Sequence, residues 1–169
     1  MSRRGSPQDA AEEGLEETEM PNLGVPVRLD KDGYRISTDP SELDLGVVHD
    51  YLKESYWAAG VPEDVVRRSI EGSLCFGVHG DGEQVGFARV ITDRATFAYL
   101  ADVFVLEEHR GRGIGRWLVE VVLSHPELQG LRRWVLATRD AHELYKRYGF
   151  ARLGRPEIFM ERKNSSYGL

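Results

Sequence analysis

The stretch that most constrains the fold of this chain is a basic, glycine-rich turn between a strand-like run and an apolar helix. Residues Asp102–Leu106 are rich in β-branched and aromatic side chains, which predicts a strand. Positions 109–115, with the sequence HRGRGIG, hold three glycines and two arginines. From Ile114 onward apolar residues recur at helical spacing. The chain is therefore predicted to run as strand, turn and helix here.

The chemistry of this turn favours the binding of an anion. Glycines allow the backbone to approach a ligand closely and to adopt positive φ angles. The N–H groups in the first turn of a helix have no partner within the helix, and the helix dipole adds partial positive charge there. Three arginines, Arg110, Arg112 and Arg116, add full charges. The turn is therefore predicted to bind a phosphate or a pyrophosphate.

Three phosphate-binding patterns compete for this turn. A Walker A loop ends in Gly-Lys-Ser/Thr, whereas Arg116 and Trp117 follow the last glycine here. The dinucleotide pattern G-x-G-x-x-G fails because Arg116 stands where its last glycine belongs. The third pattern, R/Q-x-x-G-x-G/A, is matched by Arg110, Gly113 and Gly115, and in this the turn resembles motif A of the GNAT superfamily of acyl-CoA N-acyltransferases. A surface turn before an ordinary amphipathic helix is the structural alternative.

A second motif strengthens the resemblance. The run AHELYKRYGF at 141–150 is similar to the family's C-terminal pattern A-x-x-L-Y-x-x-x-G-F. Two motifs at the expected separation are far more specific than either one alone. One position departs from the family, because Thr138 stands where many members carry an asparagine, seven residues before Tyr145.

The order of predicted elements is also similar to that of a GNAT domain, over about residues 33–162. Strands are predicted at 34–37, 74–79, 85–91, 95–105, 134–137, 151–153 and 158–162, and helices at about 45–59, 62–71, from 114 onward and at 140–148. The resemblance implies an α/β (α+β) fold. Its twisted, mixed and mostly antiparallel sheet has six to seven strands, is flanked by about four helices, and is splayed between the fourth and fifth strands.

Charge divides the chain into a tail and a domain. The first 22 residues hold six acidic and two basic residues, a composition that favours disorder. We therefore expect a disordered acidic tail over 1–24, a single acyltransferase domain over 33–163 and a short C-terminal tail over 164–169. The formal net charge of the whole chain is −6, which argues against nucleic acid as the main partner.

The remaining composition favours a cytoplasmic protein without metal. The one cysteine, Cys75, excludes an internal disulfide and lies in an apolar run, which predicts a buried thiol. The histidines are scattered without metal-ligand spacing. There is no apolar run of membrane-spanning length, and no apolar segment follows Arg3 and Arg4 as it would in a secretory signal. The expected state is a monomer or a homodimer with no membrane partner.

The resemblance implies acetyl-CoA as the acyl donor. Its pyrophosphate would bind at the glycine-rich turn, and its peptide-like pantetheine arm would pair with the strand before that turn. The residues assigned to acetyl-CoA are Val103, Phe104, Val105, Arg110, Gly111, Arg112, Gly113, Ile114, Gly115, Arg116 and Thr138.

The acceptor implied by the resemblance is a primary amine that attacks the thioester directly. Tyr145 matches the motif tyrosine and is the candidate acid that protonates the departing thiolate, although packing alone could place it on its helix. Asp102, among apolar neighbours, is the candidate base, with a structural hydrogen-bond acceptor as the alternative. Asp140 is predicted to be a helix N-cap, and His142 an exposed helix residue.

The acceptor pocket is expected to be lined by aromatic side chains, which suits a small amine. The residues assigned to it are Tyr56, Trp57, Phe87, Arg89 and Tyr99. Core packing is the alternative for Tyr56 and Trp57, and a salt bridge is the alternative for Arg89. A protein lysine or N-terminal amine as acceptor, a non-catalytic acyl-CoA-binding domain and a nucleotide-binding protein of another fold remain as other hypotheses.

Overall fold

A mixed sheet of six strands forms the centre of the protein in a computed structural model that describes residues 24–164. The strands lie side by side in chain order, and every neighbouring pair is antiparallel except the last, which is parallel. They are β1 (Arg28–Lys31), β2 (Tyr34–Ser37), β3 (Leu74–Gly80), β4 (Glu83–Thr92), β5 (Phe97–Val105) and β6 (Arg133–Leu136). The expected mixed, mostly antiparallel sheet is confirmed. The predicted acidic tail, apart from residue 24, and residues 165–169 lie outside the described residues.

Four helices flank the sheet, as the sequence predicts. They are α1 (Leu45–Glu54), α2 (Glu63–Glu71), α3 (Ile114–Ser124) and α4 (His142–Lys146). The first core packs α3 and α4 against one face of the sheet, through side chains such as Leu118, Val122 and Tyr145. The second core packs α1 and α2 against the opposite face, through side chains such as Val48 and Val66. Both amphipathic faces are therefore buried on the sheet.

The sheet begins earlier than the sequence predicts. Asp32 and Gly33 both have positive φ angles, of 51° and 82°, and together form a two-residue turn that pairs β1 with β2. Asp-Gly is a favoured pair for such hairpin turns because both residues tolerate left-handed backbone. Because β1 was not predicted, each predicted strand is numbered one higher in the structure. The predicted fourth and fifth strands are therefore β5 and β6.

The predicted strands at 151–153 and 158–162 are wrong, since residues 151–164 form no strand. Pro156 opens a short 3₁₀ turn, Pro156–Ile158, and a proline cannot donate to a sheet ladder. All side chains from 151 to 164 are exposed, so the apolar alternation in this segment has no core to face. The predicted helices at 45–59 and 140–148 are also shorter than expected, and end at Glu54 and Lys146.

Strand β5 changes faces in its middle because it contains a bulge. Its register against β4 shifts where Ala88 is opposed by two residues, and the bulged residue Asp102 has a φ of 54°. Before the bulge Leu100 belongs to the first core, whereas Phe104 beyond it belongs to the second. A regular strand would place both on the same face, because side chains alternate with a period of two.

Strands β5 and β6 separate just before this bulge. Their pairing ends at Leu100 and Leu136, while β5 continues to Val105. The expected splay between these two strands is confirmed, and it leaves the backbone of residues 101–105 without pairing to β6.

The buried thiol of Cys75 provides a test of the second core. The side chain is 6% exposed, and burial raises its pKa to about 12. Because the thiolate is the reactive species, we expect alkylation by iodoacetamide at pH 8 to be at least about a hundredfold slower in the native protein than in urea. The chain has one cysteine, so mass spectrometry counts this thiol directly. Native and unfolded rates within about tenfold of each other would contradict the burial.

Candidate active site

An inner cavity of about 640 Å³ occupies the gap where β5 and β6 separate. Its walls come from the bulged half of β5, the segment between β6 and α4, the segment after α1, and Tyr145 of α4. The residues that line it are Tyr56, Trp57, Arg89, Tyr99, Leu100, Ala101, Asp102, Val103, Ala137, Thr138, Arg139, Asp140, Ala141 and Tyr145. Most of the predicted catalytic and acceptor-binding residues are therefore brought together in one cavity.

An outer cavity of about 820 Å³ lies between α1 and the glycine-rich turn. Its walls include Tyr51 and Glu54 of α1, and Arg110 at the start of the turn. The two cavities share four lining residues, Tyr56, Trp57, Arg139 and Asp140. The two cavities are therefore adjacent, and the four shared residues lie at the border between them.

The carboxylate of Asp102 is held on both of its oxygens. Arg89 Nε donates to Oδ2 at 2.7 Å, and Trp57 Nε1 donates to Oδ1 at 3.1 Å. Arg89 also donates from Nη1 to Ser73 Oγ at 3.2 Å. The Arg89 and Asp102 side chains are only 14% and 10% exposed, so this is a largely buried ion pair. Asp102 could be a catalytic base or a structural hydrogen-bond acceptor, and this geometry favours the structural role. For Arg89, the geometry agrees with the alternative of a salt bridge.

Tyr145 lies where the inner cavity meets the first core. It is 7% exposed, and its ring packs edge-on against Phe150, with 5.9 Å between the centroids. Burial, followed by the nearby groups Tyr56 and Asp140, raises the pKa of its hydroxyl to about 12. The hydroxyl therefore stays protonated at neutral pH and can donate a hydrogen bond into the cavity.

The glycine-rich turn has the backbone that the sequence predicts. Gly111 and Gly113 have φ angles of 75° and 79°, and a Cβ at either position would meet no described atom within 4 Å. Gly113 immediately precedes the eleven-residue helix α3, whose first N–H groups point back toward the turn. The side chain of Ile114, a predicted cofactor residue, is 4% exposed and packs in the first core, so only its backbone is available to a ligand.

Two of the three arginines of the turn are tied to the protein. Arg110 donates from Nε to the Val105 carbonyl at 2.9 Å and from Nη2 to the Tyr51 hydroxyl at 3.1 Å. Arg112 donates to the Tyr34 hydroxyl at 2.9 Å. Arg116 is exposed and makes no side-chain hydrogen bond or ion pair with residues 24–164. The turn is thus shaped by Arg110 and Arg112, while the charge of Arg116 is available to a ligand.

The residues before α4 do not have the roles that the sequence suggests. Ala141, rather than Asp140, is the N-cap of α4, and this helix has no side-chain cap. The prediction that Asp140 caps the helix is wrong, because α4 begins later than expected, at His142. In the loop before the helix, the Ala141 N–H donates to Thr138 Oγ1 at 3.0 Å. Thr138 also lines the inner cavity, as the position of the family's asparagine implies.

Four of the five predicted acceptor residues line the inner cavity, and one does not. Tyr56, Trp57, Arg89 and Tyr99 are lining residues. Phe87 is wholly buried at 0% exposure and belongs to the second core. The expectation that Phe87 lines the pocket is therefore corrected, because its ring packs against Phe104 in the second core, with 6.1 Å between the centroids.

Two residues of the site carry no sequence signal. The Tyr51 ring stacks on Phe104, with 3.9 Å between the centroids, and its hydroxyl accepts from Arg110. The Arg139 guanidinium lies 3.9 Å from the centre of the Tyr56 ring, and the Arg139 N–H donates to the Tyr56 hydroxyl at 3.1 Å. The second contact bridges the two segments that face each other across the mouth of the inner cavity.

None of the helices within residues 24–164 is long and apolar enough to cross a lipid bilayer. Over the same residues, no three His, Cys, Asp or Glu side chains are grouped as metal ligands.

A splayed sheet, a glycine-rich turn at the start of a helix and a buried tyrosine facing the gap together define an acetyltransferase of the GNAT type. The profile of the acetyltransferase (GNAT) domain matches residues 71–152. The chain is also 35% identical, over 149 residues, to a Gibberella zeae protein assigned as an acetyltransferase, an alignment that covers 75% of this chain and 83% of the relative. The chain belongs to the GNAT acetyltransferase family.

Solved structures agree with this family. A crystal structure from Xanthomonas campestris, of a protein assigned to the GNAT acetyltransferases, is 55% identical to this chain with a TM-score of 0.76. The match covers 78% of this chain and 93% of that one. A Clostridium acetobutylicum structure described with acetyl-CoA is 13% identical with a TM-score of 0.59, over 77% of this chain and 94% of that one. The second likeness shows the fold alone.

The ion pair at the bulge provides a test of what holds the site open. Asp102→Asn leaves the Arg89 guanidinium buried without its charged partner, and we expect the free energy of unfolding to fall by about 3 kcal/mol. Asparagine tolerates left-handed backbone, so the change isolates the charge. Urea denaturation measures the loss. Asp50→Asn is the matched control, because it removes an exposed partner of Lys53 and should change stability little. Equal effects of the two substitutions would contradict the role of the buried pair.

Proposed function

We propose that this protein is an N-acetyltransferase that moves the acetyl group of acetyl-CoA to the primary amine of a small molecule. The observation that carries the proposal is the gap between β5 and β6. It has an anion-binding turn at one end, an unpaired strand edge along its side and a protonated tyrosine inside. The acetyl donor, the acceptor and the acid would thus meet in one place.

The gap fits the parts of acetyl-CoA in turn. The exposed N–H groups around Gly111 and Gly113 and the charge of Arg116 suit the pyrophosphate. The backbone of residues 101–105, which does not pair with β6, suits the two amides of the pantetheine arm, as a peptide adds to a sheet edge. The relative from Clostridium acetobutylicum, described with acetyl-CoA, supports this choice of donor.

The acceptor side favours a small amine. The inner and outer cavities are bounded by the end of α1 and by the segment before α4, and the contact between Tyr56 and Arg139 spans their border. Tyr56, Trp57 and Tyr99 supply aromatic walls, which bind both apolar groups and cations. An aromatic site of this size suits an alkylamine or arylalkylamine better than an extended peptide.

The reaction requires a neutral amine. At pH 7 an alkylamine with a pKa near 10.4 costs roughly 4–5 kcal/mol to deprotonate. The amine nitrogen then attacks the thioester carbonyl, so that a C–N bond forms and the C–S bond breaks. One proton of the ammonium leaves to a base, and a second passes from the attacking nitrogen to the sulfur of CoA.

Tyr145 and Asp102 take different parts in this scheme. The high pKa of the Tyr145 hydroxyl makes it a poor full proton donor but a stable hydrogen-bond donor, which stabilises developing charge on the sulfur. Asp102 fixes the bulge through Arg89 and Trp57, so we assign it the positioning of the gap rather than proton transfer.

Calorimetric titration with acetyl-CoA tests the assigned donor site. We expect micromolar binding, weakened about tenfold by Arg116→Ala, which removes one charge-assisted contact without breaking a hydrogen bond of the described protein. Arg67→Ala is the control, because Arg67 lies on the exposed face of α2 and pairs only with Glu63 among the described residues. Absence of binding by the unmodified protein, or equal affinity in both variants, would count against the site.

Steady-state kinetics test the hydroxyl of Tyr145. Tyr145→Phe removes a hydrogen bond to a developing charge, and we expect kcat to fall roughly tenfold to a hundredfold while the acetyl-CoA affinity stays unchanged. Because the pKa of Tyr145 is about 12, its ionisation should not lower kcat below about pH 11. Tyr148→Phe, the same change just beyond the end of α4, is the control, because the Tyr148 hydroxyl donates to Glu120 outside both cavities. An unchanged kcat in Tyr145→Phe would exclude the role.

A further inference from the structure

The proposed reaction requires a base that removes a proton from the ammonium group of the acceptor. Neither Tyr145 nor Asp102 is assigned that role, so the other carboxylates around the two cavities are the candidates. Four carboxylates line these cavities within the described residues. They are Asp50, Glu54, Asp102 and Asp140. Asp50 accepts from Lys53 at 2.6 Å, and Asp102 accepts from Arg89 and Trp57. Of these four carboxylates, Asp140 is the one that lines both cavities.

The Asp140 carboxylate has no structural partner in residues 24–164. It is exposed, accepts no hydrogen bond there and belongs to no ion pair, and it does not cap α4, which has no side-chain cap. The adjacent arginine, Arg139, is turned away from it onto the ring of Tyr56. A carboxylate at the border of two cavities that stabilises neither helix nor loop is placed to contact a ligand.

Asp140 and Tyr145 line the same inner cavity, in which the thioester is expected. Burial raises the pKa of Tyr145 first, and the charge of Asp140 adds to that shift. The attacking nitrogen must lie about 3–3.5 Å from the thioester carbon, next to the sulfur. We therefore expect an ammonium group in this cavity to meet the Asp140 carboxylate directly or through one water molecule.

Other charged and titratable groups line the two cavities with Asp140. From its own segment and α4 they are Arg139 and Tyr145. From α1 and the segment after it they are Asp50, Tyr51, Glu54 and Tyr56, and from β4, β5 and the turn they are Arg89, Tyr99, Asp102 and Arg110. The charges of Asp102 and Arg89 offset each other, and Asp50 is paired with Lys53. Glu54 is the other uncommitted carboxylate of these four, but it lines the outer cavity alone.

We propose that Asp140 binds the ammonium group of the acceptor and takes up its proton, an inference that rests on the proposed N-acetyltransferase function. The carboxylate accepts one proton from the ammonium, which leaves a neutral amine. The amine nitrogen forms the C–N bond, the C–S bond breaks, and the second proton of that nitrogen reaches the CoA sulfur. Asp140 then releases its proton to solvent. The preferred acceptor is consequently a basic amine that enters as a cation beside Tyr56 and Trp57.

The variant Asp140→Asn tests this assignment in the full chain. A panel of primary alkylamines and arylalkylamines is first assayed for CoA release, and the best acceptor is used for the variants. We expect Asp140→Asn to lower kcat/KM about a hundredfold or more and to leave acetyl-CoA binding unchanged. Asp140→Glu should restore part of the activity. Glu143→Gln, which removes a negative charge from α4 outside both cavities, should stay within about twofold.

A second acceptor separates proton removal from a purely structural effect. A fluoroalkylamine that is already neutral at the assay pH needs no base, so the defect of Asp140→Asn should shrink at least about tenfold relative to that with the basic amine. A defect of equal size for both acceptors, or activity of Asp140→Asn within about threefold of the unmodified protein, would overturn the role of Asp140 while the proposed function stands. Acetyl-CoA binding without turnover of any amine in the panel would overturn both.

Discussion

The site depends on one constraint, the left-handed backbone at Asp102 in the middle of β5. A non-glycine residue in this conformation costs about 1–3 kcal/mol, which the surrounding structure must offset. Here the offset comes from Arg89 on β4 and Trp57 after α1, which donate to the two carboxylate oxygens. The ion pair therefore joins both neighbouring elements to the bulge, which follows directly after the point where the pairing of β5 with β6 ends.

The same bulge decides which of the two cores each side chain of β5 belongs to. Because one extra residue reverses the alternation of side chains, Leu100 packs beneath α3 and α4 while Phe104 packs beneath α1 and α2. Tyr51 then stacks on Phe104 and accepts a hydrogen bond from Arg110. One backbone irregularity thus connects the packing of α1 to the position of the glycine-rich turn. Substitutions in the second core are expected to reach the donor site through this chain of contacts.

Two aspartates at the gap show how contacts, rather than residue type, assign roles. Asp102 is fixed by two donors and serves the shape of the site. Asp140 has no such donor within the described residues, because α4 begins beyond its reach as a cap and the guanidinium of Arg139 lies on the Tyr56 ring. A carboxylate without a structural partner at the border of two cavities is available to a cationic ligand. Because the ion pair uses Asp102, it stabilises the bulge and leaves the Asp140 carboxylate for the proposed proton transfer.

The four helices, most of the strands and the glycine-rich turn follow from the sequence alone, because each of them depends on local chemistry. Helical periodicity, the Gly113 turn and the motif around Tyr145 act within a few residues, and they predicted the family, the four helices and the splayed sheet. The C-terminal strands were predicted from alternation alone and failed, because no core faces residues 151–164. Only the tertiary structure decided that Phe87 is buried, that Asp102 is ion-paired and that Asp140 is not a cap. Those outcomes depend on contacts with residues that are distant in the sequence. A local sequence pattern contains no information about such contacts.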